Sequence, residues 1–237
     1  MSQLATTRSI RREIGVSLTR IILVRHGESQ VTVDRVLGGP RTCSGLSELG
    51  RQQSKALRER LIATREIIPD VLYSSAYPRA LQTAEIFAPA FAGLEINVEA
   101  GFGEHDPGPD CDGMTYVDFM AKYGRPDWGG DPNAVFFPGG ETIAQFHRRV
   151  ATAFDLVVKK YYEKTIVVAC HGGVVDAVLR RLLKTPQTGG FEMHTKNCSL
   201  TELVEIRANH WALMRYNDSA HLSGLPVATN PVDIQTA

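Results

Sequence analysis

Two short stretches carry side chains that could do chemistry together. Arg25-His26-Gly27 closes the unbroken apolar run Ile21-Ile22-Leu23-Val24, and His171-Gly172-Gly173 closes the run Ile166-Val167-Val168-Ala169-Cys170. A short apolar run of this kind suits a central strand covered on both faces. Both histidines therefore fall just beyond the carboxyl ends of strands, where open α/β sheets place their ligand sites. Arg25 stands beside His26, and Gly172-Gly173 opens a helix whose free amides favour an anion. Two more loops add to the set: Tyr73-Ser74-Ser75-Ala76-Tyr77-Pro78-Arg79 runs off a strand and presents Arg79, and Gly101-Phe102-Gly103-Glu104 presents Glu104. Two guanidiniums, two imidazoles and a carboxyl at four strand ends suit phosphoryl transfer, in which a protein chiefly positions and neutralises a phosphate. A neutral imidazole can attack phosphorus and split one displacement into two. A carboxyl can then serve the leaving oxygen as acid and the incoming water as base. Each residue alone has a plainer reading as a surface cation, a packed core histidine or a loop charge, which makes their joint occurrence at separate strand ends the informative observation.

The elements that must position these groups alternate along the chain. A helix is predicted from about Ser47, a plausible N-cap, with Leu49, Leu57 and Leu61 on one face. Val71-Leu72-Tyr73 reads as a strand, Pro78 suits the first position of a helix to about Ala88, and Glu95 to Glu99 alternates as a strand. Thr115-x-x-Asp118 resembles a capping box opening a short helix that Gly124 closes. Ile143, Phe146, Val150, Phe154, Val157 and Tyr161 mark a long helix from Glu141 to Glu163, and a helix over Val174 to Leu183 follows the Thr165-to-Cys170 strand. Leu200 to Ile206 and Trp211 to Tyr216 suit a terminal hairpin. This order predicts an α/β fold, a three-layer sandwich with a mostly parallel central sheet.

Length and composition set the outer limits. The 237 residues contain no Pro/Gly/Ser-rich linker, which fits one domain over 20–222, an N-terminal arm over 1–19 and a tail over 223–237. Lys+Arg and Asp+Glu both number 26, so net charge does not suggest nucleic acid or an anionic membrane as partner. No window reaches the apolar length of a membrane span, and the N-terminal stretch lacks the apolar core of a signal peptide. Cys43, Cys111, Cys170 and Cys198 are dispersed with no C-x-x-C pair, as expected of reduced thiols in a cytoplasmic protein. A cysteine phosphatase requires C-x5-R, but Leu49, Val117, Asp176 and Val204 stand six positions after the four cysteines. Asp110-x-Asp112 lacks the preceding apolar strand that an aspartyl-phosphate enzyme would need, and the seven histidines show no H-x-x-x-H pair or comparable metal-ligand spacing.

The ordered set RHGES, YSSAYPRALQTAE, a Glu-bearing loop, PGGET before a long helix, VVACHGG and Asn217-Asp218-x-x-His221-Leu222 resembles the histidine phosphatase superfamily, the phosphoglycerate-mutase-like clan. The likeness runs from about Arg20 to Leu222. It implies a phosphoglycerate-mutase-like fold with a lid at about 105–140, inserted after the third strand. It further implies His26 as a nucleophile forming phosphohistidine, Arg25, Arg79 and His171 around the phosphoryl oxygens, and Glu104 as proton donor to the leaving oxygen. Gly27, Ser29 and Gly172 would complete the phosphate site, with Thr32 where the family often has an asparagine. No metal and no cofactor is implied.

Within that resemblance, the lid separates a phosphatase from a mutase. A mutase must bind a second anionic end of its substrate, yet between Glu104 and Glu141 Lys122 and Arg125 stand amid Asp106, Asp110, Asp112, Asp118, Asp127 and Asp131. The paired arginine that the mutases carry in this stretch is absent. Met114, Tyr116, Phe119, Trp128, Phe136 and Phe137 could instead cover a partly apolar substrate or pack the lid, and the two readings weigh evenly. The expected activity is a phosphomonoesterase acting on a small phosphorylated metabolite. Phosphoglycerate-type mutase activity and a non-catalytic phospho-ligand module are the alternatives; monomer and homodimer both stay open.

Overall fold

The computed structural model describes residues 18–228, so the predicted arm up to residue 17 and the tail over 229–237 lie outside the described residues. Six strands form one sheet in the order β3-β2-β4-β1-β5-β6. Strands β1 (Arg20–Arg25), β2 (Val71–Ser74), β3 (Ile96–Val98) and β4 (Thr165–Cys170) run parallel, while β5 (Leu200–Arg207) and β6 (His210–Asp218) add an antiparallel hairpin on the β1 side. The helices are α1 (Gln30–Val33), α2 (Glu48–Thr64), α3 (Pro78–Phe87), α4 (Tyr116–Tyr123), α5 (Ile143–Lys160) and α6 (Gly172–Leu183).

Period-two alternation along the buried strands divides their side chains between two cores. Ile21, Leu23, Tyr73, Ile166 and Val168 pack with Phe146, Val150, Phe154 and Val157 of α5 and with Val174 and Val178 of α6. Ile22, Val24, Leu72, Val167 and Ala169 face the other way, against Leu57 and Leu61 of α2 and Ala84 and Phe87 of α3. Helices thus cover both faces of the parallel strands, which gives the expected three-layer arrangement and puts β1 and β4 at its centre.

Several boundaries differ from the sequence expectation for physical reasons. Helix α6 starts at Gly172 rather than Val174, with His171 as its N-cap residue. Helix α5 occupies Ile143–Lys160, opened by a full capping box between Thr142 and Gln145. The buried stripe of α2 runs through Gly50, Gln53, Ser54, Leu57 and Leu61, while Leu49 is half-buried. The cause is a close crossing: a Cβ on Gly50 would lie 2.0 Å from the carbonyl oxygen of Glu28. The chain leaving β1 therefore passes directly over α2 where only glycine fits. The one-turn helix α1 carries too few residues for a periodic signal and was not anticipated.

Residues 105–140 hold α4, whose N-cap Thr115 accepts from the Asp118 amide, and they pack around Leu37, Cys111, Phe119 and Phe137. Phe119 and Phe137 are buried in this small core, and Trp128 rests against His105, Phe136 and Phe137. For these aromatics packing is the role observed. The segment is stitched to the loop after α1 by an isolated bridge between Val36 and Thr115 and by the Leu37 amide donating to the Met114 carbonyl.

Candidate active site

Sheet register brings the histidines together. Arg25 lies opposite Cys170, and the ladder continues one step past the strands on both sides of β4: the His26 amide donates to the Cys170 carbonyl (2.9 Å) and the Ser75 amide to the Ala169 carbonyl (2.9 Å). His26 and Ser75 therefore flank His171. The two imidazoles meet edge to face with centroids 5.1 Å apart, and Tyr77 closes on the other side of His171 at 5.0 Å.

His26 is buried, with Nδ1 2.6 Å from the Gly27 carbonyl oxygen. A carbonyl only accepts, so Nδ1 carries the proton and Nε2 presents its lone pair. Arg79, also buried, donates from Nε to that Nε2 (3.2 Å) and from Nη1 to the Gly38 carbonyl (2.9 Å), with its guanidinium 4.7 Å from the Tyr77 ring centroid. Burial first, then Arg79 and Arg25, holds the His26 imidazole well below its usual pKa; the Gly27 bond opposes this only partly. His171 is lowered in the same way, by burial and then by Arg79, His26 and Arg25. Both rings are neutral at pH 7.

Arg25 donates from Nη1 to the Thr195 carbonyl, while its Nε is sealed from solvent with no partner among the described residues. His171 Nδ1 and Thr195 Oγ1 share that condition. A Cβ on Gly172 would lie 3.6 Å from both Arg25 Nε and Thr195 Oγ1, so these polar atoms gather at the start of α6. A buried polar atom left unsatisfied costs about 1–3 kcal/mol. The cluster is thus organised for a polar ligand, and the helix start and the guanidinium favour an anion.

Glu104 stands at the same helix start. One carboxylate oxygen accepts from the Gly173 amide (3.1 Å) and the other from the His105 amide (3.0 Å). Gly173 makes this approach possible, since a Cβ there would lie 2.3 Å from Glu104 Oε1. Behind the carboxyl, Arg149 pairs with Glu141 (2.7 Å) and donates to the carbonyls of Gly103 (3.0 Å) and Glu104 (3.1 Å). Glu141 in turn accepts from the Asp106 amide (3.1 Å), so this ion pair clamps the loop that carries Glu104.

His26, Arg25, Arg79, His171, Glu104 and Gly172 therefore converge, as their positions in the sequence predict. Three further candidates lie in the segment after β1. The Gly27 amide donates to Thr83 Oγ1 (3.0 Å), so Gly27 serves His26 through its carbonyl rather than offering its amide to an anion. Ser29, the N-cap residue of α1, and Thr32 within that helix hydrogen-bond each other (2.9 Å). Asp218 and His221 of the C-terminal motif face Arg60 instead of the site, whereas Asn217 accepts from the Lys196 amide (2.6 Å) and braces the loop that carries Thr195. Sequence reasoning missed Ser75, Thr195, Asn197, Glu141 and Arg149. Asn197 donates to the His26 carbonyl (3.0 Å), a role no local pattern announces. For Ser75 a signal existed, because it lies in a strand-end loop beside Arg79. Tyr116 of the lid lies within electrostatic reach of this chemistry: burial raises its hydroxyl pKa, Arg79 opposes the rise and Glu104 adds to it.

A family model, the histidine phosphatase superfamily (branch 1), matches residues 21–219. The chain belongs to that family. A phosphoserine phosphatase 1 from Hydrogenobacter thermophilus is 32% identical over 209 residues, covering 86% of this chain and 95% of the relative. A 2,3-bisphosphoglycerate-dependent phosphoglycerate mutase from Brucella canis is 31% identical over 169 residues, covering 68% of this chain and 80% of the relative. Among solved structures, a phosphoserine phosphatase mutant from Entamoeba histolytica in complex with phosphoserine superposes with a TM-score of 0.69 at 25% identity, over 86% of this chain and 99% of that one. Relatives of this chain thus include both phosphatases and a mutase.

Proposed function

We infer that the protein is a phosphomonoesterase that hydrolyses a small phosphorylated metabolite through a phosphohistidine on His26. The observation that carries this reading is the state of His26: neutral, with Nδ1–H tied to the Gly27 carbonyl and the Nε2 lone pair facing the Arg79 guanidinium. An arriving phosphoryl group takes Arg79 over, so that the guanidinium passes from the nitrogen to the phosphoryl oxygens and leaves Nε2 free to attack. The Nε2–P bond forms as the ester P–O bond breaks. Arg25, Arg79, His171 and the Gly172 amide bind the equatorial oxygens, and Glu104 gives its proton to the leaving oxygen. Water then attacks phosphorus and yields a proton to Glu104, the Nε2–P bond breaks, and inorganic phosphate leaves. No step calls on a metal, and among the described residues no group of three or more His, Cys, Asp or Glu could hold one.

The surroundings favour hydrolysis over mutase chemistry. Arg41, which reaches the lid, is taken by Asp106 and Asp112; Arg149 is taken by Glu141; Lys122 lies over the Tyr123 ring. These cations are committed, which supports a substrate whose second end carries little negative charge. No helix among the described residues is long and apolar enough to cross a membrane. The four cysteines are buried free thiols, which supports a reducing, cytoplasmic setting. The test is release of phosphate from an aryl phosphate in the presence of a chelator, with phosphoserine and phosphoglycerates run alongside. Hydrolysis without isomerisation is expected; loss of activity to the chelator, or transfer of phosphate between hydroxyls of a phosphoglycerate, would overturn the reading.

A further inference from the structure

Ser75 is fully buried at the end of β2, and its hydroxyl has two neighbours among the described residues. It accepts from the Tyr77 amide (3.1 Å) and lies 2.8 Å from His171 Nε2. The Tyr77 N–H only donates, so it occupies a lone pair of the serine oxygen and leaves the single hydroxyl hydrogen to be placed. If His171 Nε2 carried a proton, that hydroxyl hydrogen would be buried with no acceptor. The arrangement that satisfies every group has the serine O–H donating to Nε2. A neutral ring that accepts at Nε2 holds its own proton at Nδ1, the atom that is sealed and unpartnered beside the start of α6.

We propose that Ser75 is a positioning residue that locks His171 in the Nδ1–H tautomer, so that His171 meets the phosphoryl group as a hydrogen-bond donor. Resting on the phosphatase reading for its role, this deepens it: the second histidine acts through a fixed proton, and the Tyr77 amide sets the direction of the serine hydroxyl. The opposite tautomer would turn a lone pair toward the phosphoryl oxygens and repel them. Ser75 itself touches no substrate. It acts across a distance set by β2 and β4, whose register places the two residues side by side.

The test begins with the wild-type protein free of substrate. Nitrogen NMR of histidine-labelled protein at pH 7, with His171 assigned by difference from His171→Gln, should show Nδ1 as the protonated nitrogen and Nε2 as the bare one. A protonated Nε2 would overturn the proposal. Ser75→Ala should then mix the two tautomers and lower kcat about 10- to 100-fold, with a smaller change in KM, while Ser75→Thr, which keeps the hydroxyl, restores the single tautomer and most of the rate. Unchanged kcat in a folded Ser75→Ala protein would also overturn it. The two ideas fail separately: absent phosphate release by the wild type sinks the phosphatase reading, whereas the tautomer of His171 is read without turnover.

Discussion

Strand β1 begins and ends on an arginine, and the two have opposite surroundings. Arg20 is buried against Glu202, which also pairs with Arg215; Arg215 reaches Glu66 and Asp218, and both of these pair with Arg60. Every charge there has a partner, and the network ties β1, α2 and the terminal hairpin together. Arg25, at the other end of the same strand, forms no ion pair among the described residues and keeps a sealed, unpartnered Nε. Burial lowers its pKa; Glu104 opposes this, and Arg79 lowers it further. A guanidinium stays charged in a protein, so with Arg25 and Arg79 against the single carboxyl of Glu104 this end of the sheet stores an excess of positive charge for a ligand to neutralise. Equal residue types thus separate by pairing: paired charge holds the hairpin, and unpaired charge makes the site.

The largest expected effect is on His26, because without the nucleophile the other groups have nothing to act on. His26→Ala should lower kcat by about 10⁴-fold or more, read as phosphate release, with the thermal midpoint little changed. The arginine comparison follows. Arg25→Met should cost about 10²- to 10³-fold in kcat and leave stability near that of the wild type. Arg20→Met should leave kcat intact and cost about 3 kcal/mol in urea unfolding, because it strips a buried carboxylate of one partner. The reverse pattern would break the distinction between the two ends. A smaller effect is expected at Gly173→Ala, whose new methyl must displace the Glu104 carboxyl; kcat should fall about 10- to 100-fold while a phosphate-analogue inhibitor still binds.

The pH dependence of stability separates the same two regions more gently. His26 and His171 are held well below the usual imidazole value by burial and neighbouring cations, and burial beside cations brings His147 and His221 down to about 4. Between the folded and unfolded values the unfolded chain binds more protons, so stability rises with pH across that window. It should therefore fall as pH drops from about 6.5 toward 4. In the ion-pair network, burial pushes the Glu66 carboxyl up but bonds from Arg60 and Arg215 bring it down on balance, and bonds from Arg60 hold Asp218 low. Their contribution is present above the ordinary carboxylate range and is lost as pH falls through the lowered values. Thermal midpoints at pH 7.5, 6, 5 and 4 check the sum; a midpoint unchanged down to pH 4 would contradict it.

Much of this was legible because the signals were local. Apolar runs ending in Arg25-His26 and Cys170-His171 specify where strands stop, and a parallel sheet does the rest by aligning their ends. The stripe of α2 was misread at Leu49 because close backbone crossing, which favours Gly50, leaves no hydrophobic signal. Thr195 and Asn197 were missed because their roles depend on which buried atoms meet in the assembled site, and Ser75 because its contact with His171 forms only where β2 and β4 lie side by side. Gly27, Ser29 and Thr32 looked suited to a phosphate from their neighbourhood to His26; Gly27 gives its amide to Thr83, whereas the single bond between the two hydroxyls leaves one hydroxyl hydrogen still to be placed. Chain proximity located the loop without telling which atoms remained free.

The central claim is that unpaired positive charge at the ends of β1 and β2, with a neutral His171 at the end of β4, surrounds a nucleophilic His26. Rapid acid-free quenching during turnover of an aryl phosphate, followed by peptide mapping under alkaline conditions that preserve phosphohistidine, tests it most directly. The account predicts a phosphoryl group on His26 that forms and decays at the rate of turnover and is absent from the His26→Ala protein. A phosphoryl group on any other residue, or turnover with no labelled His26, would contradict it.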